Sequence, residues 1–329
     1  MTKRYFVTGC AGFLGAAVCR GLIDAGHEVV GLDNLSTDYD PLVKRFRLAG
    51  LAETSFRFRG VDLTRWDDLE HTFERAIEEQ PLDGVLHFAA RAGHGAQRPM
   101  AAYKVAAGGT LRLLELCRKH GVRRLVLAAG DSPTTMAGAA LTGAEGFCHA
   151  HHHLHGMDTA VLRFSTTYGP AGRPDQSLFR YVRWISEGEP ALVPAADAPA
   201  VDYLYIDDAV RAVLAALEIS GGHTWHVASG QRASLSEVVE ILSILMGRAA
   251  WLVPAESEGP RLLKASEAQA PQIPGWKPAV PLARGLCATL EWYETYRDVA
   301  RLIDLGIEGR KRSRRTAARY RQTQRREAA

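Results

Sequence analysis

The chain has 329 residues, 47% of them apolar and 23% charged, with a formal net charge of +3. This suits one large domain or two small ones with a full core. No apolar run is long enough to cross a bilayer, and the start lacks the basic and apolar regions of a secretory leader, so neither a membrane span nor export is expected. The five cysteines, Cys10, Cys19, Cys117, Cys148 and Cys287, are scattered and odd in number, without metal-ligand spacing. They read as reduced residues of a cytoplasmic protein. Charge is uneven: residues 310–329 hold nine basic residues and one acid, so that segment carries +8 and the rest of the chain −5.

A short apolar, partly β-branched run over 5–8 predicts a buried parallel strand. Gly9, Gly12 and Gly15 follow at spacing three, and 16–25 reads as a helix ending near Gly26. Gly9 permits a tight turn, Gly12 lets the backbone approach a pyrophosphate, and Gly15 lets the helix pack close to the strand. Phe13 and Leu14 open the helix end that faces the phosphates. A glycine triplet alone says little. Here a strand precedes it, a helix follows it, and a second strand over 28–32 ends in Asp33. An acid at that strand end takes both hydroxyls of an adenosine ribose and repels a 2′-phosphate, so the pattern predicts NAD rather than NADP.

Asn34 and Ser36 lie in the polar loop that follows, and join the expected cofactor set. A helix runs from there to about Gly50. A strand over 55–61 ends at Asp62 and Leu63, a usual place for an adenine contact, and a helix over 66–79 comes next. A strand over 84–88 runs into Ala89 and Ala90, whose small side chains let backbone sit against a cofactor. A helix over 99–120 and a strand over 124–128 follow. The alternation predicts an α/β fold, a Rossmann-type doubly wound parallel sheet with its ligand crevice at the carboxyl ends of the strands.

The run from Thr8 to Gly15, Leu32-Asp33-Asn34-Leu35-Ser36, Asp62-Leu63 and His87-Phe88-Ala89-Ala90 resembles the extended short-chain dehydrogenase/reductase family. Phe147-Cys148-His149-Ala150 with His152-His153-Leu154, Leu162-Arg163-Phe164, Tyr168-Gly169-Pro170 and Gly172-Arg173-Pro174-Asp175 is similar to its NAD-dependent nucleotide-sugar 4-epimerases and dehydratases, the UDP-uronate type in particular. The stretch from Asp202 to Asp208 and Gly275-Trp276-Lys277-Pro278 extend the likeness to about residues 3–300. The resemblance implies an NAD-binding Rossmann domain over 1–165, interleaved with a smaller C-terminal substrate lobe over 166–305, and a basic tail over 306–329. It implies a nucleotide-sugar ligand, with Thr166 and Arg173 on sugar-contacting positions, the arginine forking onto a uronate carboxylate. It also implies a homodimer, or a heterodimer with an active relative, through a four-helix bundle of the helices starting near Pro99 and Ala139.

In the enzymes this resembles, a Tyr phenolate, its pKa lowered by a Lys four residues on, takes the proton of a sugar hydroxyl while NAD takes the hydride. A Ser or Thr at the end of the fifth strand binds the reacting oxygen. Counting back from Glu145-Gly146-Phe147-Cys148, the Tyr position holds Ala137 and the Lys position Leu141. The Ser run is Ala128-Ala129-Gly130, with Gly130 at the Ser position, the helix Asn is Ala106, and the phosphate-gripping Arg is Val201. Candidate substitutes are Tyr103, Lys104, Ser132 and Thr135. Adjacent helix residues point in different directions, so Tyr103 and Lys104 do not reproduce the Tyr/Lys geometry, and Ser132 and Thr135 also read as turn residues around Pro133.

His149 with His153, and His151 with His155, have helical spacing four. No acidic third ligand accompanies them in sequence, so a structural role is expected and no metal. A helix is expected from about 291 to 305, carrying Trp292, Tyr296, Val299 and Leu302 or Ile303 on one side. The basic tail after it is expected to be disordered alone, and open to an anionic partner. Two functional classes stay open. One is an NAD-binding relative of the epimerases that no longer epimerises: a partner subunit, a ligand sensor or the host of unusual chemistry. The other is an active NAD-dependent nucleotide-sugar epimerase or dehydratase whose acid/base group comes from elsewhere.

Overall fold

The computed structural model describes residues 1–52, 55–89, 99–130, 135–193, 199–254 and 272–305. β1 (Arg4–Thr8) passes through the glycine turn into α1 (Phe13–Asp24). Then come β2 (Glu28–Leu32), α2 (Pro41–Ala49), β3 (Phe56–Arg59), α3 (Trp66–Glu79) and β4 (Gly84–His87). α4 (Pro99–Tyr103), a π turn at Lys104–Gly108 and α5 (Gly109–Lys119) lead to β5 (Arg124–Gly130), α6 (Met136–His155) and β6 (Asp158–Phe164). The second half holds β7 (Thr166–Tyr168), α7 (Ser177–Glu187), β8 (Ala191–Val193), β9 (Val201–Tyr205), α8 (Ile206–Ala216) and β10 (Gly222–Val227). β11 (Arg232–Ala233), α9 (Leu235–Met246), β12 (Leu252–Pro254), α10 (Leu282–Thr295) and α11 (Arg297–Leu302) end it.

The main sheet has seven strands in the order β10-β6-β5-β4-β1-β2-β3, all parallel. Side chains alternate across it. Tyr5, Val7, Val29, Leu86 and Val126 face α1 and α8, and pack with Val18, Leu22, Ala212 and Val213. Phe6, Val30, Val85, Leu125 and Leu127 face α3, α5 and α6, and pack with Phe73, Leu113 and Leu141. Two covered faces explain why the strands read as continuous apolar runs. Each fully buried Leu or Phe contributes roughly 1.5–3 kcal/mol. β10 and α8 come from the second half of the chain, yet join this first body. A three-stranded sheet β11-β9-β7 and a two-stranded sheet β12-β8, with α7, α9 and α10, enclose a third cluster around Tyr168, Tyr205, Trp184 and Tyr293. The doubly wound expectation holds.

Two expected helices differ. The helix over 99–120 is interrupted by the π turn at Lys104–Gly108. Small residues there let the backbone close on a distant side chain: a Cβ on Gly109 would lie 2.5 Å from Leu63 Cδ2. The C-terminal helix begins at Leu282 rather than near 291, and stops at Tyr296, which separates α10 from α11. The Tyr296 ring turns onto α2 instead, edge-on to Phe46 at 4.9 Å between centroids. Among the described residues no helix is long and apolar enough to cross a membrane. The basic tail lies outside the described residues.

Candidate functional site

The order of the sheet reverses between β1 and β4, and in sheets of this kind ligands bind beyond the carboxyl ends of the strands at that point. Gly9 sits there with φ +73°, a region that disfavours any side chain. A Cβ on it would also lie 2.7 Å from Ala89 N. The glycine therefore lets the ends of β1 and β4 meet. Gly15 is as constrained, since its Cβ would lie 2.1 Å from Gly9 O. Gly12 begins α1 without a side-chain cap, and no acid occupies the first turn. The leading amides of α1, on Phe13 and Leu14, thus form an anion-receptive helix end with no side-chain acceptor of its own.

Asp33 is buried at the end of β2. Its Oδ2 accepts from Ala11 N at 3.1 Å and its Oδ1 from Leu35 N at 2.8 Å. One carboxylate thus ties the glycine turn to the next loop, and it holds Leu35 at φ +50°, an uncommon value for leucine. Asn34 Nδ2 donates to Asp62 Oδ2 at 3.0 Å, and Asn34 Oδ1 accepts from Ser36 N at 2.9 Å. Burial works against the Asp62 charge, but the Thr64 hydroxyl and amide with the Asn34 amide outweigh it and hold this carboxyl below the usual range. Leu63 is buried beside Asp62. Ser36 Oγ donates to Asp38, while Lys44 Nζ donates to the Ser36 carbonyl and hydroxyl at 2.8 and 2.9 Å. The expected cofactor set through Ala89 therefore gathers at adjacent strand ends. Ala90 lies outside the described residues. A phosphate-ready helix end, a glycine-lined approach and a pinned carboxylate fit a dinucleotide.

Sequence reading missed Arg47. It lies in α2, is buried, and donates to Ala11 O at 3.1 Å, Tyr39 OH at 2.8 Å, Ala171 O at 2.9 and 2.6 Å, and Gly172 O at 3.1 Å. No local signal marks it, because an arginine in an amphipathic helix reads as a solvated face.

The opposite wall is plainer. Gly130 ends β5, and a Cβ there would meet nothing within 4 Å among the described residues. Ala137 is half-buried in the first turn of α6. Leu141, 4% exposed, belongs to the cluster of Phe6, Leu127 and Ala129. Open space, a methyl and a core leucine stand at the three positions in question. Thr135 caps α6, its Oγ1 accepting from Gly138 N at 3.0 Å, so its hydroxyl has a structural task. Tyr103 and Lys104 are both exposed. Ser132 lies outside the described residues.

Thr166 is exposed at the start of β7. Arg173 lies in the loop after β7, paired with a neighbouring acid. Its fork is filled by Asp175, with Nε–Oδ1 at 3.0 Å and Nη2–Oδ2 at 2.7 Å, and its guanidinium lies 4.8 Å from the centre of the Tyr39 ring. Burial opposes its charge, but Asp175 outweighs that and raises the pKa. The histidines of α6 meet an acid from another helix. The acidic neighbour missing from the local sequence comes from α5, where Glu115 Oε1 lies 2.8 Å from His151 Nε2.

The family model "NAD dependent epimerase/dehydratase family" matches residues 5–143 and 132–228. A UDP-glucuronate 4-epimerase of Thermodesulfobacterium geofontis is 35% identical, over 88% of this chain and 95% of that one. UDP-glucuronate 4-epimerase 5 of Arabidopsis thaliana is 30% identical, over 87% and 74%. Among solved structures, UDP-glucuronic acid 4-epimerase from Bacillus cereus, in complex with UDP-glucuronic acid and NAD, superposes with a TM-score of 0.76 at 22% identity, over 89% and 99%. UDP-glucose 4-epimerase from Thermotoga maritima, with UDP-glucose, gives 0.76 at 22% identity. The glycine turn at the β1/β4 switch point, the acid after β2 and these matches over most of the chain agree: the chain belongs to the NAD-dependent epimerase/dehydratase family, whose cofactor is NAD.

Proposed function

We propose that this chain binds NAD at the glycine turn and a nucleotide sugar of the UDP-uronate class across the same crevice. The observation that carries the reading is the pinned Asp33 carboxylate facing the glycine turn and the uncapped end of α1. Gly9, Gly12, Phe13, Leu14, Gly15, Asp33, Asn34, Ser36, Asp62, Leu63 and Ala89 would hold the cofactor. Thr166 would lie toward the sugar, and Arg173 would face it as a paired, stacked side chain. NAD when bound supplies a hydride acceptor. The chain must supply the rest: orientation, exclusion of water and a destination for the hydroxyl proton.

That destination is the weak point. Neither Ala137 nor Leu141 ionises, and Thr135 is engaged as a cap. We therefore read the chain first as a relative that holds both ligands without ordinary 4-epimerisation, as a partner subunit, a sensor or the host of unusual chemistry. The comparisons favour a second reading, an active NAD-dependent epimerase or dehydratase with a relocated acid/base group. Two relatives that match most of this chain are UDP-glucuronate 4-epimerases. Tyr103, Lys104, Ser132 and Thr135 are then the first positions to mutate.

Turnover decides between them. Protein free of host epimerase is given NAD and UDP-glucuronate, and the products are separated. The first reading expects calorimetric binding of both ligands, with a rate more than about 10²-fold below a typical ~10 per second. A rate inside that margin installs the second reading. Absence of NAD binding at millimolar concentration overturns both.

The assembly proposed is a homodimer, or a heterodimer with an active relative, through α4–α6. α6 exposes the small residues Ala139, Gly143, Gly146 and Ala150, and α4 exposes Met100 and Tyr103 nearby in the fold. Light scattering at tens of micromolar should give twice the chain mass, and Gly146→Arg should halve it. The five free cysteines accord with a reducing cytoplasm. The basic segment 310–329 is proposed to meet an anionic partner.

A further inference from the structure

We propose that Glu115, His151 and His155 form a site for a divalent transition metal of the zinc class, one that staples α5 to α6. Their donor atoms all lie within 4.8 Å of one another. Nitrogen and oxygen ligands stand about 2.0–2.2 Å from zinc, so small side-chain rotations close this set around one ion. His151 and His155 sit one turn apart on α6, with ring centroids 5.3 Å apart, and Glu115 faces them from α5.

The hydrogen bonds of His151 make the case sharper. Its Nδ1 lies 3.0 Å from the Phe147 carbonyl oxygen, and its Nε2 lies 2.8 Å from Glu115 Oε1. A carbonyl only accepts, so Nδ1 carries a proton. In the neutral ring Nε2 is then a bare lone pair aimed at a carboxylate oxygen, which is also an acceptor. Two acceptors at that distance need a cation between or upon them, either a second proton or a metal ion. A ring nitrogen held by a backbone carbonyl while the other faces a carboxylate is also how metal-binding histidines are oriented. Glu115 is oriented in turn: Arg118 Nη2 donates to Oε2 at 2.7 Å, and Arg118 Nε lies 3.3 Å from Oε2 and 3.4 Å from Oε1.

The site is reachable. His155 is exposed and the Glu115 side chain is 40% exposed, while His151 is buried beneath them. Three protein ligands leave one coordination position for water. The other spaced pair is differently engaged, since His149 Nε2 bonds Thr224 Oγ1 at 3.0 Å.

The test uses the full chain without a histidine tag, stripped with chelator and titrated with zinc chloride alone. Calorimetry should give one zinc per chain. His155→Ala and Glu115→Gln should each weaken binding about tenfold or more, whereas the double change His149→Ala with His153→Ala should leave it intact. Saturating zinc should raise the melting temperature by about 3 °C or more in the wild type and not in His155→Ala. Cobalt in place of zinc adds a readout independent of stability, a visible d–d band that disappears in His155→Ala. No heat with zinc, or equal affinity and an equal cobalt spectrum in both single variants, overturns the proposal. His151 and Glu115 are then a hydrogen-bonded pair that only joins α5 to α6.

Discussion

His87 stands at the carboxyl end of β4 with none of its surface exposed. Its Nδ1 lies 2.6 Å from Thr8 Oγ1, and its Nε2 has no partner among the described residues. Burial pushes the imidazole from 6.5 down to about 3. The folded chain therefore keeps this ring neutral where the unfolded chain already takes a proton. Stability from His87 is complete above pH 6.5 and is lost as pH falls toward 3. The whole loss is up to about 5 kcal/mol. His87→Gln, which can still meet Thr8, should flatten the acid limb, seen as a smaller difference between denaturant midpoints at neutral and mildly acid pH. An unchanged difference would assign the acid sensitivity to other groups. Asp33 carries a second residue-scale prediction. Asp33→Ala orphans the Ala11 and Leu35 amides, so it should cost about 1–3 kcal/mol of stability. It should also weaken NAD about tenfold and narrow the preference over NADP. Parallel titrations with the two dinucleotides measure this, and equal affinities before and after the change would remove Asp33 from the site.

Among the elements, α6 is where the proposed lack of an acid/base pair can be tested. Leu141→Lys would place an ammonium among Phe6, Leu127 and Ala129, at a cost on the order of 3 kcal/mol. Gly130→Ser faces open space and should be neutral within about 0.5 kcal/mol. The triple variant with Ala137→Tyr is expected to melt lower than wild type. Turnover gained by it, where the wild type has none, identifies a silenced epimerase site. The elements also show what a sequence can carry. Strand bounds at Glu28–Leu32 and helix bounds at Trp66–Glu79 were legible, because periodicity and end signals are local. The glycine turn was legible for the same reason. The π turn at Lys104–Gly108 and the break at Tyr296 were not, because the helical pattern runs through both without a proline. The meeting of Glu115 and His151 joins helices whose partners lie 36 residues apart, with no local signal to announce it. The polar loop after Asp33 was legible as a loop, whereas the pairing of Arg173 with Asp175 was not read from the sequence.

At the scale of the molecule, Arg47 joins what the two halves of the chain bring to the crevice. It reaches Ala11 in the glycine turn, Tyr39 in the loop before α2, and Ala171 and Gly172 in the loop after β7. Ala171 is held at φ +54°, a costly value for alanine that persists only where its surroundings impose it. Arg173 lies against the same Tyr39 ring, so the glycine turn and the loop after β7 share one buried support. Hydrogen bonds from a charged donor to buried carbonyls stabilise by about 1.5–3 kcal/mol, and removing the donor leaves the carbonyls bare. Arg47→Ala should therefore lower stability by roughly 3 kcal/mol. It should also weaken NAD about tenfold, some 1.4 kcal/mol, without touching any proposed ligand contact. Arg47→Lys should recover little of either, because a single ammonium cannot span the Ala11 and Ala171 carbonyls as a planar fork does. Denaturant unfolding and NAD titration on the three proteins measure both effects. A midpoint shift with unchanged NAD affinity would leave Arg47 a core strut only. Loss of affinity in step with stability, unrescued by lysine, would make it the joint through which the loop after β7 and the glycine turn move together.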